Sequence, residues 1–173
     1  MELNLKRPIV FLDLETTGTN VGADRIVEIG LLKIFPNGSK DSRTYKVNPT
    51  IPIPEETSKI HGIYDKDVKD APTFKDLSAE LNTFLGGSDL GGYNSNKFDI
   101  PLLIEEFTRC NIDFDILTRK LIDVQNIFHK MEQRTLAAAY KFYCNKDLTN
   151  AHSAEADTLA TYEVMLSQLD KYD

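Results

Sequence analysis

The stretch Ile9-Val10-Phe11-Leu12-Asp13-Leu14-Glu15-Thr16-Thr17-Gly18 constrains this chain more than any other: four apolar residues run straight into two acids and a Thr-Thr-Gly stop. An unbroken apolar run of this kind suits a strand covered on both faces at the centre of a sheet. Side chains alternate along a strand, so Asp13 and Glu15 share one face, about 7 Å apart along the chain. Two like charges with no basic residue beside them repel. A divalent cation reverses that logic, because Mg²⁺ and Mn²⁺ prefer hard carboxylate oxygens. A plainer reading also fits: acids are common where strands leave a core, and Asp before Thr-Gly is ordinary turn chemistry.

At 173 residues the chain has the length of one domain (1–173), and 41% hydrophobic with 27% charged residues is a soluble, globular composition. No stretch approaches the roughly 20 apolar residues of a membrane span, and residues 1–7 lack a signal-peptide core. A cytoplasmic protein with no membrane partner is expected. Cys110 and Cys144 stand far apart in no metal-binding pattern, which suits core packing in a reducing compartment. The net charge of −7 argues against gripping nucleic acid by bulk electrostatics. It leaves open a protein that holds a chain end at a metal site, where bound cations supply the positive charge.

After the first strand, Thr17 to Asp24 reads as a turn, and the β-branched run Arg25–Phe35 as a long strand. Pro36-Asn37-Gly38 closes it and predicts a third, antiparallel strand near Ser42–Val47. A proline-rich extended linker leads to a short helix from Glu55 to Ile60, stopped at His61-Gly62. Leu77, Leu81, Phe84 and Leu85 share one face of a helix over Phe74–Leu85. Leu90–Asn94 resembles a short strand whose glycines let something approach closely. A helix beginning beside Asp99 and Pro101, a strand over Arg119–Asp123, and helices over Thr135–Tyr143 and Ala154–Leu169 complete the chain. Strands grouped first and strand–helix alternation afterwards predict an α/β fold, a mixed five-stranded sheet flanked by helices.

Two further groups of acids could join the first pair. Asp99 closes Asn94-Ser95-Asn96-Lys97-Phe98-Asp99, just before a helix, where an N-cap role would also explain it. His152-Ser153-Ala154-Glu155-Ala156-Asp157 opens the last helix. There Leu159, Tyr162, Leu166 and Leu169 form the apolar stripe, and Asp157 lies roughly 160° from its centre. A solvent-facing first-turn acid is one account of Asp157. The small residues on its own side (Ala154, Ala160, Thr161 and Val164) support another, in which the helix is buried on two sides and Asp157 is aimed at the strand ends. Imidazole is the side chain suited to proton abstraction near neutral pH, which makes His152 a candidate base beside its commoner structural role.

Taken together, these stretches resemble the DnaQ-like DEDDh family of 3′–5′ exonucleases. Its D-x-E-T-T-G, N-x-x-x-F-D and H-x-A-x-x-D motifs read here as Asp13 to Gly18, Asn94 to Asp99 and His152 to Asp157, in order and intact. The likeness is nearest to the proofreading (epsilon) branch of bacterial DNA polymerase III, and His152 five positions before Asp157 selects the DEDDh subfamily. The resemblance implies a ribonuclease H-like fold and two divalent ions, Mg²⁺ or Mn²⁺. Asp13, Glu15 and Asp157 would hold one ion, with Asp13 bridging to a second that Asp99 supports. His152 would deprotonate the water that attacks the terminal phosphodiester, releasing a nucleoside 5′-monophosphate. Thr16, Thr17 and His61 would lie by the terminal nucleotide, with Asn94 and Phe98 shaping its pocket. The expected partner is a single-stranded 3′ end, DNA favoured over RNA. A DNA polymerase partner is in doubt, because the chain stops at Asp173 without that subunit's C-terminal extension. An exoribonuclease, and a non-catalytic module that binds a polymerase or a nucleic-acid end, are the rival readings.

Overall fold

Five strands, β1 (Ile9–Thr16), β2 (Ile26–Ile34), β3 (Lys40–Lys46), β4 (Asp89–Gly92) and β5 (Leu121–Asp123), form one mixed sheet in the order β3-β2-β1-β4-β5. The computed structural model describes residues 3–172, which group into two units, one ending at Gln125 and the other beginning at Asn126. The sheet belongs to the first. β1 to β3 pair antiparallel, as their short turns require, while β4 and β5 join in parallel beyond β1. The expected mixed five-stranded sheet is therefore present, with β1 at its centre.

Helices α1 (Glu55–His61), α2 (Asp65–Val68), α3 (Phe74–Leu85) and α4 (Asp99–Arg109) complete this unit. The predicted face of α3 is the buried one, and it meets Val10, Leu12 and Leu14 of β1 and Ile100, Leu103 and Phe107 of α4 in one core. Phe107 stacks on Phe114 at 4.7 Å and meets Phe74 edge-on at 5.1 Å, both favoured ring geometries. β1 is not covered equally on its two sides: Val10, Leu12 and Leu14 are buried, whereas Phe11 and Glu15 are half-buried and Asp13 is exposed. At Ile9 and Val10 the apolar run is covered on both faces, as expected, and the strand opens farther along on the face of Asp13 and Glu15.

The glycines of β4 answer to a close approach, but by this chain's own atoms. A Cβ on Gly91 would come within 2.8 Å of the Phe11 ring, and one on Gly92 within 2.9 Å of the Leu12 carbonyl oxygen. The α1 helix ends as predicted, on Gly62 in the left-handed region (φ 77°), whose N–H donates to the Ser58 carbonyl at 2.8 Å. α2 had no signal that periodicity could read, being a single turn.

Helix α5 (Val124–Met131) follows β5 and was not anticipated. In the second unit, α6 (Leu136–Cys144) is capped by Thr135, whose hydroxyl accepts from Ala138 N–H at 3.2 Å, and α7 (Ala154–Lys171) closes the chain. α7 buries Ala160 and Val164 against Tyr140. The expected stripe is overturned: Leu159, Tyr162, Leu166 and Leu169 are all exposed. Burial on two sides was expected, and only Ala160 and Val164, on the small-residue side, are buried. A close crossing of two helices favours small residues. Among the described residues no helix is long and apolar enough to cross a membrane.

Candidate active site

On β1, alternation carries Asp13 and Glu15 to the open face, as predicted. Across the strand pair Asp13 lies opposite Gly30 and Glu15 opposite Glu28, so the neighbouring strand adds an acid to the same region. The register slips between Glu15 and Thr16, leaving Val27 as the extra residue of β2. Val27 packs with Ile53, Ile63 and Val68, the apolar residues that flank α1 and run to α2. That small core fixes the end of α1 and brings His61 within electrostatic reach of Glu15. Burial raises the Glu15 carboxyl above its ordinary range, Asp13 and Glu28 add to the rise, and His61 partly offsets it.

Asp99 enters from α4. The residue that caps this helix is Phe98, without a side-chain capping bond, so the N-cap reading of Asp99 is set aside. Its carboxylate instead accepts from the main-chain N–H of Leu14, between the two β1 acids, at 3.1 Å. Asp99 is 5% exposed, and burial first, then the charge of Asp13, pushes its carboxyl up to about 6. Two hydrogen-bond donors on the carboxylate do not overcome those two effects.

The expected substrate residues are disposed unevenly. Thr16 and Thr17 are buried and their hydroxyls are already engaged, Thr16 with the Gly18 carbonyl at 2.6 Å and Thr17 with Asp24 at 2.8 Å. His61 Nδ1 accepts from Ile63 N–H at 3.0 Å, and its Nε2 is buried without a partner among the described residues. Asn94 occupies the left-handed region (φ 59°) at the turn after β4. Half-buried Phe98 packs against the main core.

In the second unit, His152 is exposed and also left-handed (φ 74°), a conformation rare outside glycine and often kept where a side chain has to be aimed. Ser153 caps α7 without a side-chain bond, and Asp157 N–H donates to its carbonyl at 2.9 Å. Asp157 Oδ1 is buried and has no hydrogen-bond partner among the described residues. A shielded carboxylate oxygen with no donor lacks the compensation that burial requires.

Comparison with known proteins now adds to this geometry. The exonuclease family model of the RNase T type matches residues 10–165, nearly the whole chain. The chain belongs to this exonuclease family. It is 34% identical over 154 residues to the DNA polymerase III epsilon subunit of Buchnera aphidicola, covering 85% of this chain and 61% of that one. It is 29% identical over 171 residues to a PolC-type DNA polymerase III from Caldanaerobacter subterraneus, across 98% of this chain but 12% of the relative. Escherichia coli exonuclease I, solved with a dT13 oligonucleotide, has the same fold at a TM-score of 0.66 and 17% identity, over 96% of this chain and 41% of that one. The motif-based reading of a DnaQ-like exonuclease with a ribonuclease H-like fold is borne out. This chain carries an exonuclease domain of the 3′–5′ class, and it spans 12–61% of the length of the two curated relatives just described.

Members of such a family work with divalent metal ions, and the donors here suit one. The charge of Asp13 raises the carboxyls of both Glu15 and Asp99, no Lys or Arg is paired to these acids among the described residues, and Asp157 keeps a bare buried oxygen. No three His, Cys, Asp or Glu side chains among the described residues form a closed cage as they stand. The fit is one of chemistry, oxygen donors with unsatisfied charge.

Two acids beside the candidate site escaped the sequence reading. Glu28 could have been found by pairing it across the turn with Glu15. Asp123, 5% exposed at the end of β5, accepts from the main-chain N–H groups of Asn94 (3.0 Å), Asn96 (3.2 Å) and Gln125 (3.0 Å). It fixes the turn that leads to Asp99. Its signal was available: an acid closing a short strand.

Proposed function

We propose that this chain is a divalent-metal-dependent 3′–5′ exonuclease that removes nucleoside 5′-monophosphates from single-stranded DNA ends. The observation that carries the reading is the contact of Asp99 with Leu14 N–H, which joins the acid of the second motif to the strand bearing the first two. Asp13, Glu15, Asp99 and Asp157 would hold Mg²⁺ or Mn²⁺. Bound ions of this kind supply charge stabilisation to the attacking and leaving oxygens at phosphorus. His152, exposed at the start of α7, takes the proton of the attacking water, and His61 offers its free Nε2 as a donor to the terminal nucleotide. The turn at Thr16–Gly18 holds that nucleotide mainly through backbone and methyl groups, since both hydroxyls are spent within the turn. Residues 10–165 act as one catalytic domain, because a single family model runs through both units. Likeness to polymerase III chains supports a proofreading or repair role.

The test uses 5′-labelled single-stranded DNA and RNA of matched sequence, with Mg²⁺, with Mn²⁺ and with chelator. A metal-dependent ladder shortening from the 3′ end, faster on DNA and absent in Asp13→Ala, is the expected result. A faster RNA ladder would make the protein an exoribonuclease, and no ladder on either would leave a non-catalytic binding module.

A further inference from the structure

Helix α4 does more than deliver Asp99. Two turns later the same helix carries Glu106, 1% exposed, which grips Arg25 with both oxygens: Nε at 2.8 Å and Nη2 at 3.1 Å. One of those oxygens also accepts from Ile26 N–H at 3.2 Å. A buried carboxylate is tolerated only when paired and hydrogen-bonded, and the planar fork of arginine meets that need bidentately. The main chain of Arg25 in turn holds Thr17 twice. Its carbonyl accepts from Thr17 N–H at 2.9 Å, and its N–H donates to the Thr17 hydroxyl at 3.0 Å. Arg109, at the far end of α4, fastens the same turn through the carbonyls of Gly22 (2.9 Å) and Asp24 (3.0 Å). The Thr17 carbonyl accepts from the Thr57 hydroxyl of α1 at 3.2 Å. A Cβ on Gly18 would meet the Asp24 carboxylate at 2.6 Å, so the turn has no slack on that side.

We propose that Glu106 and Arg25 form a latch that sets the Thr16–Gly18 turn, and thereby the seat of the substrate's terminal nucleotide, in register with Asp99. The proposal rests on the exonuclease reading above. Neither residue touches substrate; both act through Thr17 as positioning residues. Because one helix supplies Asp99 at its start and the latch in its body, a shift of α4 moves the acid and the nucleotide seat together.

Arg25→Lys keeps the charge and loses the two-pronged grip. Arg25→Met with Glu106→Gln replaces the buried pair by a neutral one and keeps an acceptor for Ile26 N–H, an exchange that protein interiors often tolerate. Each is measured with a 5′-labelled DNA oligonucleotide, by Mn²⁺ calorimetry, and by amide exchange at Thr17. The expected result in both is a KM raised roughly 10- to 100-fold, kcat nearly unchanged, Mn²⁺ affinity retained and faster exchange at Thr17. A fall in kcat and Mn²⁺ affinity at unchanged KM would overturn the latch, as would wild-type KM in the folded double variant. Wild-type exchange at Thr17 in Arg25→Lys overturns it whether or not the protein cleaves. Absence of cleavage by the unaltered protein is a different failure, of the exonuclease reading, and takes the latch's substrate role with it.

Discussion

The carboxylate of Asp99 receives the main-chain N–H of Leu14 at 3.1 Å, so an acid from the second half of the sheet unit is tied to the one residue that separates Asp13 from Glu15. The bond uses backbone, not side chain, and so fixes where Asp99 sits without consuming either neighbouring acid. It also holds the carboxyl close to the charge of Asp13, which after burial is the next cause that raises it to about 6.

That raised value makes stability depend on pH. The folded protein binds a proton at Asp99 more readily than the unfolded chain, whose value is 3.8, so the native state holds the extra proton between about pH 4 and about pH 6. Stability contributed by this group is therefore present at the acid end and is lost as pH rises through 6. The effect is at most about 2 kcal/mol once solvent screening is allowed for. In chelator, melting of the wild type and of Asp99→Asn from pH 4.5 to 7.5 should show a decline with rising pH that the variant lacks. Parallel profiles would remove Asp99 as the source.

Asp13→Ala should abolish both Mn²⁺ binding and cleavage, while relieving Asp99 of a neighbouring negative charge and leaving the fold intact. Calorimetry with Mn²⁺ is the direct check. A titration unchanged from the wild type would detach Asp13 from the metal site altogether.

His152→Ala should lower turnover by roughly 10²–10⁴-fold, the scale of a lost general base, with Mn²⁺ binding largely kept. Steady-state cleavage beside calorimetry separates the two effects. Wild-type turnover in this variant would take His152 out of the chemistry.

Asp123→Ala strands three main-chain donors at a buried turn and should cost about 3 kcal/mol or more of stability. Urea denaturation measures it. Asp123→Asn, which keeps one acceptor oxygen, should fall between the two, and equal stability of all three proteins would refute the anchoring role.

Gly92→Ala places a Cβ within 2.6 Å of the Ser95 Cβ and 2.9 Å of the Leu12 carbonyl oxygen, where backbone must move to admit it. Overpacking of this kind should destabilise by about 1–3 kcal/mol. Because the strain falls on β1 just before Asp13, cleavage should drop further than the loss of folded protein explains, a comparison made by activity per folded molecule.

Much of this was legible in the residues alone. Period-2 alternation set Asp13 and Glu15 on one face of β1, short turns made β1 to β3 antiparallel, and Gly62 marked the end of α1, because each depends on neighbours within a few positions. The three motifs were enough to name the family. Periodicity overstated α7: Ala160 and Val164 on the small-residue side are buried as read, but the stripe of four large apolar residues is exposed. Which face a helix buries is decided by the partner it meets, and a close crossing favours small residues.

The sequence by itself determined the identities of the acids, the elements that carry them and the side of β1 on which the first two stand. Only the tertiary structure decided that Asp99 reaches across to Leu14, that Glu28 faces Glu15, and that Glu106 reaches back 81 positions to Arg25. Local propensity acts over one or two turns of chain. Strand register and helix docking, by contrast, follow from the simultaneous burial of the whole core, which no single stretch encodes.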